Sequence, residues 1–120
     1  MAIEYIDDGD RKILYANFEG ITDQDEFMKA ALEVANTLKK VNGQQYMLAN
    51  FIDASVGTKV MASIKDEAKA ILREMPITTA AIGITGLKQI LVHGYIRFTG
   101  SKLRIFNSRE EAMEYLTEAP

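Results

Sequence analysis

Cysteine is absent from this chain, and histidine occurs once, at His93. The first absence excludes disulfides, zinc-thiolate sites and thiol nucleophiles, and the second excludes a histidine-rich metal centre within one chain. No apolar run approaches the roughly 18 residues needed to span a bilayer. Met1-Ala2-Ile3-Glu4 also lacks the charged-then-apolar pattern of a secretory leader. The expectation is a cytoplasmic protein without membrane insertion. Basic excess is missing too: 14 Lys and Arg stand against 17 Asp and Glu, for a net charge of -3. A phosphate-backbone binder gains affinity from a basic surface, so nucleic acid is not an expected partner. No repeat, low-complexity tract or linker divides the sequence, and residues 1–120 read as one domain.

What is present is an ordinary globular composition, 48% apolar with charges of both signs interspersed. A chain of this size buries roughly two-thirds of the surface its unfolded form exposes, enough for one core. Ile3 to Asp7 and Lys12 to Glu19 read as an extended hairpin around Asp8-Gly9-Asp10. Thr22 with Asp25 supplies a capping signal, and Phe27, Ala31, Val34, Leu38 and Val41 recur at helical spacing, predicting a helix from Asp23 to Lys40. Tyr46 to Ile52 is a buried-strand run broken by Asn50. Val60, Ile64, Ala68 and Ile71 form a second helical stripe ending before Pro76.

Thr78 to Ile84 predicts a strand in which Ala81 and Gly83 share a face, so another element, most simply a helix, can approach it closely. A third helix beginning near Gly86 carries Leu87, Ile90, Leu91, Gly94, Tyr95 and Phe98 on one side. Val92 and Ile96 extend its apolar surface beyond that stripe. Leu103 to Phe106 predicts the fifth strand, and Ser108 with Glu111 has capping-box spacing ahead of a short helix.

The fold class is therefore α/β: a five-stranded mixed sheet, an N-terminal antiparallel hairpin followed by right-handed β-α repeats, and four main helices. Parallel strands send their strand-to-helix loops to one edge, where helix N-termini favour anions. That edge gathers Ser55, Thr58, Thr85 and Gly86 as a candidate anion site. Strands added steadily in one direction leave no crevice of reversed order, which predicts a flat binding edge in place of a deep pocket.

The segments Ile13-Leu14-Tyr15-Ala16-Asn17-Phe18-Glu19-Gly20, Ala80-Ala81-Ile82-Gly83-Ile84-Thr85-Gly86-Leu87, and Ile105-Phe106-Asn107-Ser108 before Glu110-Glu111-Ala112 resemble the STAS domains. The likeness is closer to their SpoIIAA-like relatives, which share a fold with lipid-carrying CRAL-TRIO domains. It covers nearly the whole chain and implies a non-enzymatic regulatory or protein-interaction module with an unknown protein partner; the alternative is a small-ligand or lipid-binding domain. It also implies a phosphorylatable serine in a turn before the second helix. Asp53-Ala54-Ser55-Val56-Gly57 is the matching turn, one residue longer than the family pattern and without its following leucine, which makes Ser55 the candidate. The same hydroxyl can instead stabilise a turn or cap.

Other polar residues offer weaker chemistry. Gln89, His93 and Arg97 are spaced to share one helix face, either a small-anion cluster or a solvated surface. Lys102 and Arg104 flank Leu103 as positive charge or as protection of an edge strand. Asp7, Asp8 and Asp10 crowd a hairpin tip without the full calcium-loop pattern. Asn17 and Asn50 interrupt apolar strands and require partners if buried. The six methionines are scattered, as gap-fillers are. No catalytic residue, metal or cofactor is indicated. Val92 and Ile96 are the candidate interface of a homodimer; the alternative is that both pack under a neighbouring helix of the same chain.

Overall fold

The computed structural model describes residues 3–119. Its strands are β1 (Ile3–Asp8), β2 (Arg11–Asn17), β3 (Gln45–Asn50), β4 (Ile77–Ile82) and β5 (Arg104–Phe106), and its helices α1 (Gln24–Leu38), α2 (Thr58–Glu74), α3 (Leu87–Thr99) and α4 (Arg109–Glu118). The sheet order is β1-β2-β3-β4-β5, antiparallel between β1 and β2 and parallel thereafter. The architecture is the mixed α/β sheet that the alternation of apolar runs and helical stripes predicts.

Register sorts the strand residues onto two faces. Leu14, Met47 and Thr79 lie side by side across β2, β3 and β4, as do Ala16, Ala49 and Ala81. This face meets α1, α2 and α3, through a core that includes Phe27, Val34, Ile71 and Val92. Ile13, Tyr15, Leu48, Ala80 and Ile82 occupy the other face, where Ala112 and Leu116 of α4 close over them. Ala80 and Ala112 are wholly buried, and their small size lets α4 come close to the sheet.

The helix starts differ in a way the sequence explains in part. Asp23 Oδ1 accepts a hydrogen bond from the Glu26 amide at 3.0 Å, which places the α1 cap one residue after Thr22. Ser108 Oγ accepts from the Glu111 amide and donates to its carboxylate, both at 3.2 Å. Helices α2 and α3 start instead from Gly57 and Gly86, with no side-chain cap and no acidic residue in the first turn.

Two local expectations are corrected. The close approach at Gly83 is made by the backbone after β3 and not by a helix: a Cβ there would sit 2.6 Å from the Phe51 carbonyl carbon, and φ is +81°. Only glycine fits both demands. The second correction concerns α3. Val92 is 7% exposed and packs with Ala49, Ala81 and Ile84, and Ile96 packs against the same cluster. Leu87 and Ile90 are its most exposed apolar residues, at 80% and 68%, followed by Phe98 at 42%. Apolar residues at two rotations around the helix allow either face inward, and packing against the sheet selects Val92 and Ile96. They belong to the chain's own core, and the most exposed apolar area on α3 lies at its first turn.

Candidate functional site

Alanines at positions 16 and 49, and a threonine at 79, supply much of the sheet surface beneath α1 to α3. These short side chains cannot reach across the gap that larger residues such as Phe27, Met61 and Ile71 hold open. A cavity of about 310 Å³ results, lined from β2, β3 and β4 below and from α1, α2 and α3 above. Its wall is almost entirely apolar, including Met28, Ala31, Met47, Ile64, Ala68 and Val92. Phe18 stacks on Phe27 at 4.8 Å and on Phe51 at 5.0 Å, forming an aromatic wall. Leu32 of α1, 45% exposed, and the exposed Ser63 of α2 also line the space, so it reaches the surface between these two helices.

Few polar groups face this volume, and one of them, Glu67, is ion-paired with Lys39. Thr79 is 4% exposed, yet its hydroxyl makes no hydrogen bond among the described residues. No sealed side-chain nitrogen or oxygen among those residues lacks a partner. The Thr79 hydroxyl must therefore touch free space, and the cavity it lines supplies that space. Tyr95 contributes a phenol whose pKa burial pushes up to about 12, because the charged phenolate would lose its hydration. Ser101 Oγ accepts from the Leu103 amide at 3.1 Å. Lys88, half-buried, directs Nζ to the Phe51 carbonyl oxygen at 3.1 Å.

One side chain ties the flanking segments together. Gln24 donates to the Thr22 and Ser55 carbonyl oxygens, each at 3.1 Å, and accepts from the Gly57 amide. It joins the start of α1 to the start of α2 beside Ala54 and Val56, two further cavity-lining residues.

Ser55, Thr58, Thr85 and Gly86 are all exposed and sit in or beside the loops that leave β3 and β4. The Ser55 amide donates to the Ile21 carbonyl, and the Thr85 and Gly86 carbonyls accept from the Lys88 and Gln89 amides. Gln89, His93 and Arg97 share an exposed face of α3, away from the cavity. Arg104 stacks its guanidinium 5.1 Å from the Tyr115 ring, and Lys102 is exposed. Asp7, Asp8 and Asp10 are exposed, and among the described residues no group of three His, Cys, Asp or Glu is placed to hold a metal.

Asn17 and Asn50 are register partners. Asn50 donates to the Tyr15 hydroxyl and to Glu19, each at 3.0 Å, and accepts from the Ile52 amide. Its polarity is thus absorbed by the fold.

The cavity departs from the flat edge that steady strand order predicts. That prediction concerned the loops at the strand ends, whereas the space lies between layers, where side-chain size decides. Compared with known proteins, the chain matches no family model and no curated sequence.

Proposed function

We propose that this chain is a non-enzymatic binding module that encloses a small apolar molecule between its sheet and helices α1 to α3. The observation that carries this reading is the apolar cavity of about 310 Å³. Its volume falls at the lower end of the roughly 300–1,000 Å³ usual for ligand sites. It is about twice the roughly 150 Å³ of an engineered cavity that binds benzene, which suits a ligand of roughly a dozen non-hydrogen atoms. A lipid-binding relative of the STAS-like group would use such a space. Native mass spectrometry of freshly purified protein, followed by titration with an environment-sensitive apolar dye, tests the reading. The wild type is expected to retain an organic ligand or take up the dye, and Ala68→Leu, which fills the space, to do neither. Equal dye uptake by both proteins at the same stoichiometry rejects the cavity as the site.

A second reading, a STAS-like regulatory or protein-interaction module, draws on the exposure of Ser55 beside the uncapped start of α2. A phosphate there would meet open helix amides. Peptide mapping of protein recovered from its own cells is the test: phosphate on Ser55 favours a switch, and modification only elsewhere rejects Ser55. A homodimer remains part of this proposal, with Leu87 and Ile90 replacing Val92 and Ile96 as its candidate contacts. Sedimentation of wild type beside Leu87→Glu, Ile90→Glu decides it, and a monomeric wild type at about 100 μM, where association worth roughly 6 kcal/mol is visible, ends it.

A further inference from the structure

Resting on the cavity-binding reading, we infer that the ligand is a slender monocarboxylate, its carboxylate paired with Lys88 and its apolar body lying over Thr79 toward Tyr95. Lys88 is a half-buried ammonium on the wall of an apolar cavity. An ammonium carries three donors, and the Phe51 carbonyl accounts for one of them. Among the described residues the ion pair is Lys39 with Glu67, and Lys88 has no carboxylate partner. A charge drawn out of water without a counter-charge is costly, and an anion beside it recovers part of that cost.

The local backbone reinforces the sign. Lys88 lies in the first turn of α3, which has no acidic residue and no side-chain cap, so the positive end of the helix dipole adds to the ammonium. A cationic head would be repelled, and a neutral head would leave the charge uncompensated. Glu67 also lines the cavity but is paired with Lys39, which leaves Lys88 as the lining charge without a counter-charge among the described residues; the rest of the wall offers mainly carbon.

Length agrees with volume. Lys88 and Tyr95 are seven residues apart, two helical turns on one face, which separates them by about 10 Å along the axis. The Thr79 hydroxyl, which has no hydrogen-bond partner among the described residues and lines the cavity, supplies one polar contact away from the head. A molecule with a single acidic end and a slender chain of roughly a dozen non-hydrogen atoms fits both the volume and the arrangement.

Calorimetric titration of the full chain with decanoate, decanol and decylamine tests the assignment, using wild type, Lys88→Met and Lys88→Arg. Wild type is expected to bind decanoate at least tenfold more tightly than decanol, with decylamine weakest. Lys88→Met should abolish that preference by weakening decanoate alone, and Lys88→Arg should keep it. Lys88→Gln serves in place of Lys88→Met if circular dichroism shows the latter unfolded. Equal wild-type affinity for decanoate and decanol overturns the carboxylate while leaving the cavity reading intact. Binding of none of the three overturns the cavity reading itself. A decanoate preference that survives in the folded Lys88→Met or Lys88→Gln protein overturns Lys88 as the anchor.

Discussion

The two faces of one sheet are built to different densities. On the α4 side, Ile13, Leu48, Ala80, Ala112 and Leu116 have essentially no exposed surface and leave little between strand and helix. On the opposite side three helices roof the same strands, and about 310 Å³ stays open beneath them. Both faces carry alanines, so composition does not make the difference. Ala80 is met by Ala112 on an approaching helix, whereas Ala49 looks up at helices propped apart by phenylalanines and long aliphatic residues. Small residues close a gap only when both sides are small.

Truncation should break the symmetry most strongly. Leu116→Ala removes packed volume from the dense face and is expected to cost about 3–5 kcal/mol, against a smaller loss, at or below about 2 kcal/mol, for Ile64→Ala, whose half-buried side chain already borders open space. Urea unfolding of the two variants measures the gap, and equal losses would mean that the helical face is filled in solution.

The next effect depends on pH. The Tyr95 phenol is held up at about 12 from an ordinary 10.0, so the folded chain keeps a proton that the unfolded chain loses first. Stability from this group is fully present below pH 10 and is lost as pH rises toward 12. The loss amounts to about 2–3 kcal/mol at 1.36 kcal/mol per pH unit. Unfolding free energies of wild type and Tyr95→Phe should converge or cross over that window, and parallel curves would contradict the buried phenol.

Enlargement sharpens the contrast by sign. Ala112→Leu should destabilise the dense face by about 1–3 kcal/mol through overpacking, while Ala68→Leu should be neutral or stabilising because it enters existing space. Thermal midpoints that fall equally for both would remove the distinction between the faces. The smallest effect concerns a cap: Ser108→Ala should cost about 1 kcal/mol by freeing the Glu111 amide, again read from urea unfolding.

Fold and site differ in how far the sequence reveals them. Strand and helix order is written in local periodicity, and the hairpin, the parallel sheet and the α4 capping pair are all legible there. The α1 cap is displaced by one residue because Thr22 and Asp23 both suit the position chemically, and backbone geometry chooses Asp23. The orientation of α3 is not legible, since its apolar residues support two rotations and only contact with Ala81 and Ile84 selects one. The cavity is less legible still. It depends on the height of three helices above Ala16, Ala49 and Thr79, a distance that no single segment encodes. Lys88 carried a readable signal, a cation at the start of an apolar helix without an acid nearby. Its burial against the Phe51 carbonyl is a tertiary fact.

The strand order has a consequence for how the chain is made. Each strand lies beside the one preceding it in sequence, so during synthesis the sheet can lengthen by appending one β-α unit at a time, with no need to insert a late strand between early ones. The roof of α1 to α3 grows in step with the strands. The opposite face does not share this schedule. Ile13, Tyr15, Leu48, Ala80 and Ile82 all precede α4, the last of the described elements, in the chain, so the apolar surface they form is covered only when α4 docks. Any state of the chain in which α4 is undocked would leave that face of the sheet open to water.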